Sequence, residues 1–287
     1  MKQFEYFDEN RRGRLERLDY IGAHDARKYA LIYLPWGYDD DPDRRYDVLY
    51  LMHGGGGNPD AWTDSCPLKN MLDRTFAAGE AKPMIVVFPT FYNEPPKRIP
   101  GIVDPEYEHR CVLDFQTEEL TQFLLPAVEG ACRGHAEGTD RESLRRARAH
   151  RGFGGFSMGA VNTWYAFLLH LDCFSVFVPL SGDCWAAAPT GGGSHAAETA
   201  ALLRESVHKQ GFGPDDFAVF AATGTEDIAC PNLTPQIEAM KTLDDVFRFS
   251  ENDGQGNLRY LLAEGLAHNY EAVNQYLYNY LPCLFRR

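Results

Sequence analysis

The feature that most constrains this chain is Gly155-Phe156-Ser157-Met158-Gly159, set between two apolar stretches. Upstream, His150 to Phe156 reads as a short buried strand; downstream, Val161 to Leu169 reads as a buried helix. A G-x-S-x-G sequence between strand and helix suits a serine on a sharp turn, its hydroxyl raised above a β-sheet. The turning serine takes a strained backbone conformation. Flanking glycines remove the Cβ atoms that would meet the neighbouring strand and helix. Three fixed positions in a glycine-rich chain match by chance about one time in ten, so the order strand, turn, helix carries more weight than the motif alone.

The rest of the chain supplies the sheet that such a turn needs. Residues 13–34 read as a hairpin or two early strands, with Leu15, Leu18, Tyr20, Tyr29, Leu31 and Tyr33 in alternation. Val48–Met52, Met84–Phe88, Phe174–Ser181, Phe217–Thr223 and Leu258–Ala263 are near-continuous apolar runs, as expected of strands covered on both faces. Helical patterns fall between them, over 68–80, 114–132, 234–247 and 270–285. Phe91 to Arg110 reads as a long loop, rich in aromatics and prolines, able to wall a pocket. Arg133 to Arg148 reads as a solvated, charged excursion without chemistry, and Ala186 to His195, with three consecutive glycines, as mobile. Strands alternating with helices, and no internal repeat or linker, give the expectation of one α/β domain over residues 1–287. Its central sheet is mostly parallel with helices on both faces, and residues 1–30 form N-terminal strands or an extension.

Charge and cysteine usage remove several function classes. A formal net charge of −13 over 287 residues opposes binding to nucleic-acid phosphates and docking on anionic membranes. No apolar run approaches the roughly 18 residues of a membrane span. Seven cysteines are scattered without a C-x-x-C pair, which argues against a zinc or redox motif and for free thiols. No metal or organic cofactor is expected. Met1 to Asp8 lacks the apolar stretch of a signal peptide, so the expected location is cytoplasmic, or secreted if a signal segment has been removed.

Active sites of parallel sheets lie beyond the carboxyl ends of the strands, and three polar groups fall there in the order Ser157, Asp227, His268. A serine hydroxyl needs an imidazole to accept its proton. The imidazole needs a carboxylate to fix its tautomer and stabilise its charged form. His268 alone among nine histidines follows the last strand. His53 follows a core strand but precedes Ser157 and is expected to brace a loop; His24, His135, His195 and His208 read as surface residues, and His109, His150 and His170 as structural. Asp227 is preferred as the acid over Glu226 and Asp183, because the acid loop comes late in the α/β-hydrolase fold. The glycine run His53-Gly54-Gly55-Gly56-Gly57 ends a core strand, where backbone N–H groups can turn towards a ligand. Gly54 or Gly55 could therefore supply one oxyanion donor and Met158, after the serine, the other.

Three runs extend the comparison: His150 to Gly159, Pro179-Leu180-Ser181-Gly182-Asp183-Cys184-Trp185 and Phe220 to Asp227. They resemble the feruloyl esterase modules of bacterial multidomain xylanases, members of carbohydrate esterase family 1. The resemblance runs from about Leu31 to Phe285. It implies an α/β-hydrolase fold, with Ser157 as nucleophile, Asp227 as acid, His268 as base and Trp185 lining an aromatic acyl pocket. It implies hydrolysis of ferulate esters on arabinoxylan or its oligosaccharides, without a cofactor. The alternatives are an acetyl xylan esterase, a general small-ester hydrolase, and a silent carbohydrate-binding protein. Oligomeric state is left open. Two positions depart from the family: Ala160 replaces a frequent glycine, and Asn269-Tyr270 stands where relatives carry bulkier aromatics.

Overall fold

The computed structural model describes residues 1–6, 9–94, 104–251 and 256–286. Eight apolar segments pair in one sheet: β1 (Arg14–Ile21), β2 (Arg27–Leu34), β3 (Val48–Met52), β4 (Ile85–Phe88), β5 (Arg151–Phe156), β6 (Val176–Leu180), β7 (Ala218–Glu226) and β8 (Leu258–Ala267). Their spatial order is β1-β2-β4-β3-β5-β6-β7-β8. β1 and β2 form an antiparallel hairpin, and β2 joins β4 antiparallel. The other pairings are all parallel, so the expected α/β-hydrolase architecture is borne out.

The continuous apolar character of β3 has a direct cause. Val48, Tyr50 and Met52 point into one buried cluster, while Leu49 and Leu51 point into a second on the opposite face. The helices that cover these faces are α1 (Ala61–Ser65), α2 (Leu68–Ala77), α3 (Pro105–Asp114), α4 (Leu125–Ala131), α5 (Arg141–Arg146), α6 (Met158–Leu169), α7 (Gly191–Ser194), α8 (Ala196–Lys209), α9 (Cys230–Lys241) and α10 (Tyr270–Tyr280). A π-helical stretch over Phe115–Leu124 joins α3 to α4. Helix α6 is buried nearly all round, which explains its lack of a polar face.

Two segments differ from the sequence expectation. Phe91 to Arg110 is not all loop: Asp104 caps α3 by accepting the Glu106 and Tyr107 N–H groups, so helix begins at Pro105. Residues 95–103 of that segment lie outside the described residues. Ala186 to His195 is not a bare loop either, because it contains α7, and α8 follows it directly. The glycines there serve close packing. A Cβ at Gly193 would sit 2.4 Å from Asn232 Oδ1, and one at Gly192 would sit 2.6 Å from Asp183 Cβ.

The first residue of β5 pins the strand that carries the serine. Arg151 is buried, pairs with Glu129 of α4 at 2.8 Å, and donates to the carbonyls of Leu144 and Cys173. Removing one member of such a pair leaves an uncompensated buried charge, at a cost of about 3–5 kcal/mol. Glu129→Ala should therefore lower unfolding free energy by about that amount in urea denaturation. A loss below about 1 kcal/mol would show that the pair does not anchor β5.

Candidate active site

Ser157 sits between β5 and α6 with φ 57° and ψ −116°, a conformation that L-residues rarely adopt. Such strain costs about 1–3 kcal/mol and persists only where the surroundings enforce it. Three glycines allow the enforcing contacts. A Cβ at Gly155 would lie 2.7 Å from the Gly159 backbone, and one at Gly159 would lie 2.5 Å from the Met52 carbonyl. At Gly182, after β6, a Cβ would meet the Ser157 carbonyl at 2.6 Å. The strand ends of β3, β5 and β6 thus close around the turn. Ala160 fits fully buried at the position where a glycine is frequent.

The structure brings Ser157, His268 and Asp227 together. Ser157 Oγ lies 2.9 Å from His268 Nε2, and His268 Nδ1 lies 2.7 Å from Asp227 Oδ1. With Asp227 accepting from Nδ1, the free lone pair of a neutral ring is at Nε2, where it can take the serine proton. Asp227 directly follows β7, just beyond an irregularity in the β7–β8 pairing between Gly224 and Glu226. Burial pushes the Asp227 carboxyl up, but hydrogen bonds from His268 and the Ala229 N–H outweigh it and hold it below the usual carboxylate range. Ser181 adds to this from a position short of full hydrogen-bond geometry: its Oγ and Asp227 Oδ2 are both buried without a partner in bonding geometry among the described residues.

The rival carboxylates lie elsewhere. Glu226 is exposed. Asp183 is buried, accepts the Gly192 N–H at 2.9 Å and the Trp185 indole N–H at 3.3 Å, and so ties β6 to α7. Burial, partly offset by these bonds, raises its carboxyl above the ordinary value.

At the glycine run the structure narrows the expected donor set. Gly54 N–H is already given to Tyr270 Oη at 3.1 Å, and Gly56 N–H to Tyr92 Oη at 2.6 Å. Gly55 N–H and Met158 N–H have no partner among the described residues. The two residues are in contact, since a Cβ at Gly55 would lie 3.2 Å from Met158 Cγ. Met158 opens α6, whose orphan N–H groups and dipole favour negative charge. His53 braces the run, as expected: Nδ1 donates to the Gly54 carbonyl at 2.7 Å and Nε2 accepts from Thr90 at 2.8 Å. Tyr92 in turn donates to buried Glu108 at 2.5 Å. Sequence reasoning noted Tyr270 only as a question of pocket shape and did not single out Tyr92, Thr90 or Glu108. Nothing in their spacing marks them, because their partners are backbone groups distant in the chain.

Trp185 is half-buried beyond β6, its ring 5.8 Å from that of His109 on α3. On the same helix Tyr107 stacks over Tyr92, which stacks on His53 beneath the glycine run.

Residues 24–276 match the family described as "Putative esterase". The chain belongs to the esterase family. It is 36% identical over 274 residues to endo-1,4-beta-xylanase Y of Acetivibrio thermocellus, covering 95% of this chain and 23% of that protein. This esterase therefore spans less than a quarter of the length of that curated relative. A serine-to-alanine mutant of the feruloyl esterase module from Clostridium thermocellum, solved with sinapinate, aligns over 99% of this chain and 94% of its own, with 34% identity and a TM-score of 0.82. The S-formylglutathione hydrolase of Staphylococcus aureus shares the fold, with a TM-score of 0.65 at 14% identity, covering 98% of this chain and all of its own. The resemblance to feruloyl esterase modules drawn from the three sequence runs is borne out.

The surroundings of the three carboxylates lead to a graded expectation. Asp227→Asn should lower kcat by about three to four orders of magnitude, since an amide favours the wrong imidazole tautomer. Glu226→Gln should leave kcat nearly unchanged, and Asp183→Asn should act mainly on stability. Steady-state kinetics beside thermal denaturation check this, and a larger kcat loss at 226 or 183 would move the acid.

Proposed function

We propose that this esterase hydrolyses hydroxycinnamoyl esters of plant cell-wall arabinoxylan, acting as one domain, with Ser157 as nucleophile, His268 as general base and acid, and Asp227 as the orienting carboxylate. Ser157 Oγ attacks the ester carbonyl as its proton passes to His268 Nε2. Asp227 stabilises the imidazolium that forms. The carbonyl oxygen, now negative, is held by Gly55 N–H and Met158 N–H, and loss of one such donor typically costs about 10²–10³ in kcat. Collapse of the tetrahedral intermediate expels the sugar alkoxide, which takes the proton from His268. Water attacks the acyl-enzyme with His268 again as base, and the hydroxycinnamic acid leaves.

Gly54 and Tyr270 have a positioning role in this scheme. Tyr270 stands two residues after His268, so its hydroxyl ties the loop bearing the base to the loop bearing the oxyanion donor. One hydrogen bond thus spans the two halves of the site.

The acyl preference rests on the 34% identity, over almost the whole chain, to a feruloyl esterase module solved with sinapinate, a hydroxycinnamate. The aromatic surroundings support it. An acetyl group needs only a dent beside the serine, whereas a feruloyl group needs a long slot with flat walls. Helix α3 links two candidate walls, through Tyr107 to Tyr92 and through His109 to Trp185. A polymer substrate would be met outside the cell, and feruloylated oligosaccharides could be met on either side of the membrane. Among the described residues no helix is long and apolar enough to cross a membrane.

Comparison of methyl ferulate with p-nitrophenyl acetate tests the reading. A ring contact worth about 0.5–1.5 kcal/mol beyond area burial, together with the lost apolar surface, should make Trp185→Ala lower kcat/KM on methyl ferulate about tenfold or more. Hydrolysis of the acetyl ester should barely change. Equal losses on both substrates would remove Trp185 from the pocket. A wild-type enzyme far better on acetyl than on feruloyl esters would make it an acetyl or general small-ester hydrolase.

A further inference from the structure

The end of the sheet opposite Ser157 holds three side chains that the esterase chemistry does not use. Asp47 immediately precedes β3 and His150 immediately precedes β5. The parallel register pairs Val48 with Arg151, so the two side chains meet at the amino-terminal edge of the sheet. His150 Nδ1 lies 2.7 Å from Asp47 Oδ1. His135 comes from the segment after α4, which is held against the residue before Asp47 by the Tyr46 N–H to Arg133 carbonyl bond at 2.9 Å. Its Nε2 lies 3.7 Å from Asp47 Oδ1, and its ring stacks on that of His150 with centroids 3.6 Å apart. The three donor atoms all fall within 4.8 Å of one another.

We propose that Asp47, His135 and His150 form a binding site for a borderline divalent cation of the zinc class, with solvent completing the coordination. Two imidazoles and one carboxylate are a donor set that suits zinc, cobalt or nickel better than magnesium or calcium. Tetrahedral bonds of about 2.0–2.1 Å put ligand atoms about 3.3 Å apart. The 2.7 and 3.7 Å separations from Asp47 Oδ1 lie on either side of that value, and seating the ion takes a rotation of the two stacked rings, 13° from parallel, that turns their nitrogens onto one point. A second observation points to a ligand. His135 Nε2 is buried and has no hydrogen-bond partner among the described residues, a costly state for an imidazole nitrogen unless something else binds it.

The surroundings are compatible with this use. Asp47 is buried and its other oxygen accepts from Lys82 at 2.7 Å, while Oδ1 faces the histidines. Lys82 is half exposed and can turn into solvent when a cation arrives. Four of the seven thiols compete poorly, since burial pushes Cys66, Cys132, Cys173 and Cys184 up to about 12. Strand β5 is six residues long, so the site lies about 20 Å from Ser157 and would act as a clamp on the sheet edge rather than in ester cleavage.

Cobalt(II) titration of the chelator-treated full chain, followed by its visible spectrum, tests the proposal, with zinc(II) calorimetry and thermal denaturation beside it. The expected result is one equivalent bound, bands of nitrogen and oxygen ligation without thiolate charge transfer, and a rise of a few degrees in Tm with zinc. His135→Gln and His150→Gln should each weaken binding at least about tenfold, the lower end of what losing even an outer partner of a metal ligand costs. Both should keep wild-type esterase turnover, which also separates failure to bind from failure to fold. Absence of stoichiometric binding, a thiolate band, or binding undiminished in both variants would overturn the site.

Discussion

Everything at this site depends on how closely backbone can approach backbone around Ser157. The serine holds a positive φ because β3, β5 and β6 end against it, and they can do so only where Gly155, Gly159 and Gly182 lack a Cβ. Each of those glycines would otherwise place a carbon within 2.5–2.7 Å of a backbone atom. The sharp turn sets the Ser157 hydroxyl against His268, and α6 begins at the next residue, Met158. The proposed nucleophile and one proposed oxyanion donor therefore belong to the same turn. The strain is sustained by the flanking core, where Phe153, Ala160, Val161 and Trp164 are buried almost completely.

Two further loops must be held to that turn with similar accuracy, and each is held by hydrogen bonds rather than by bulk packing. The His268 loop is fixed through Asp227 Oδ1 and by the Asn269 cap at the start of α10. The glycine run is fixed from three directions: His53 on the Gly54 carbonyl, Tyr270 on the Gly54 N–H, and the Tyr92–Glu108 pair on the Gly56 N–H. Two polar N–H groups on either side of Gly55 are thus consumed, and the Gly55 N–H between them has no partner among the described residues. A run of glycines that reads as flexible is held in place through its neighbours' bonds.

How far this was legible from sequence follows from the range of each interaction. The core strands, the serine turn and the candidate acid and base could be read because local apolar runs and strand-end polar residues carry them. Asp227 was preferred to Asp183 on chain order; Asp227 lies against His268, while Asp183 is bonded to Gly192 and Trp185. The cap at Asp104 and the α7–α8 pair were missed. Proline and glycine content suggested loops, whereas Pro105 sits at the permitted first helical position and Gly192 and Gly193 permit contact with Asp183 and Asn232. Tyr270 and the Asp47–His135–His150 cluster were invisible for another reason. Their partners are set by parallel register and by loops far apart in sequence, which no local spacing records.

The account stands on Ser157 being the activated nucleophile, and covalent labelling measures that directly. A fluorophosphonate reacts only with a serine whose proton a neighbouring base can take. Intact-mass analysis and peptide mapping should find one adduct, on Ser157. Labelling should be absent in Ser157→Ala and strongly slowed in His268→Ala, with the fold of both retained by circular dichroism. An adduct on another residue, or labelling that persists in folded Ser157→Ala, would contradict the account.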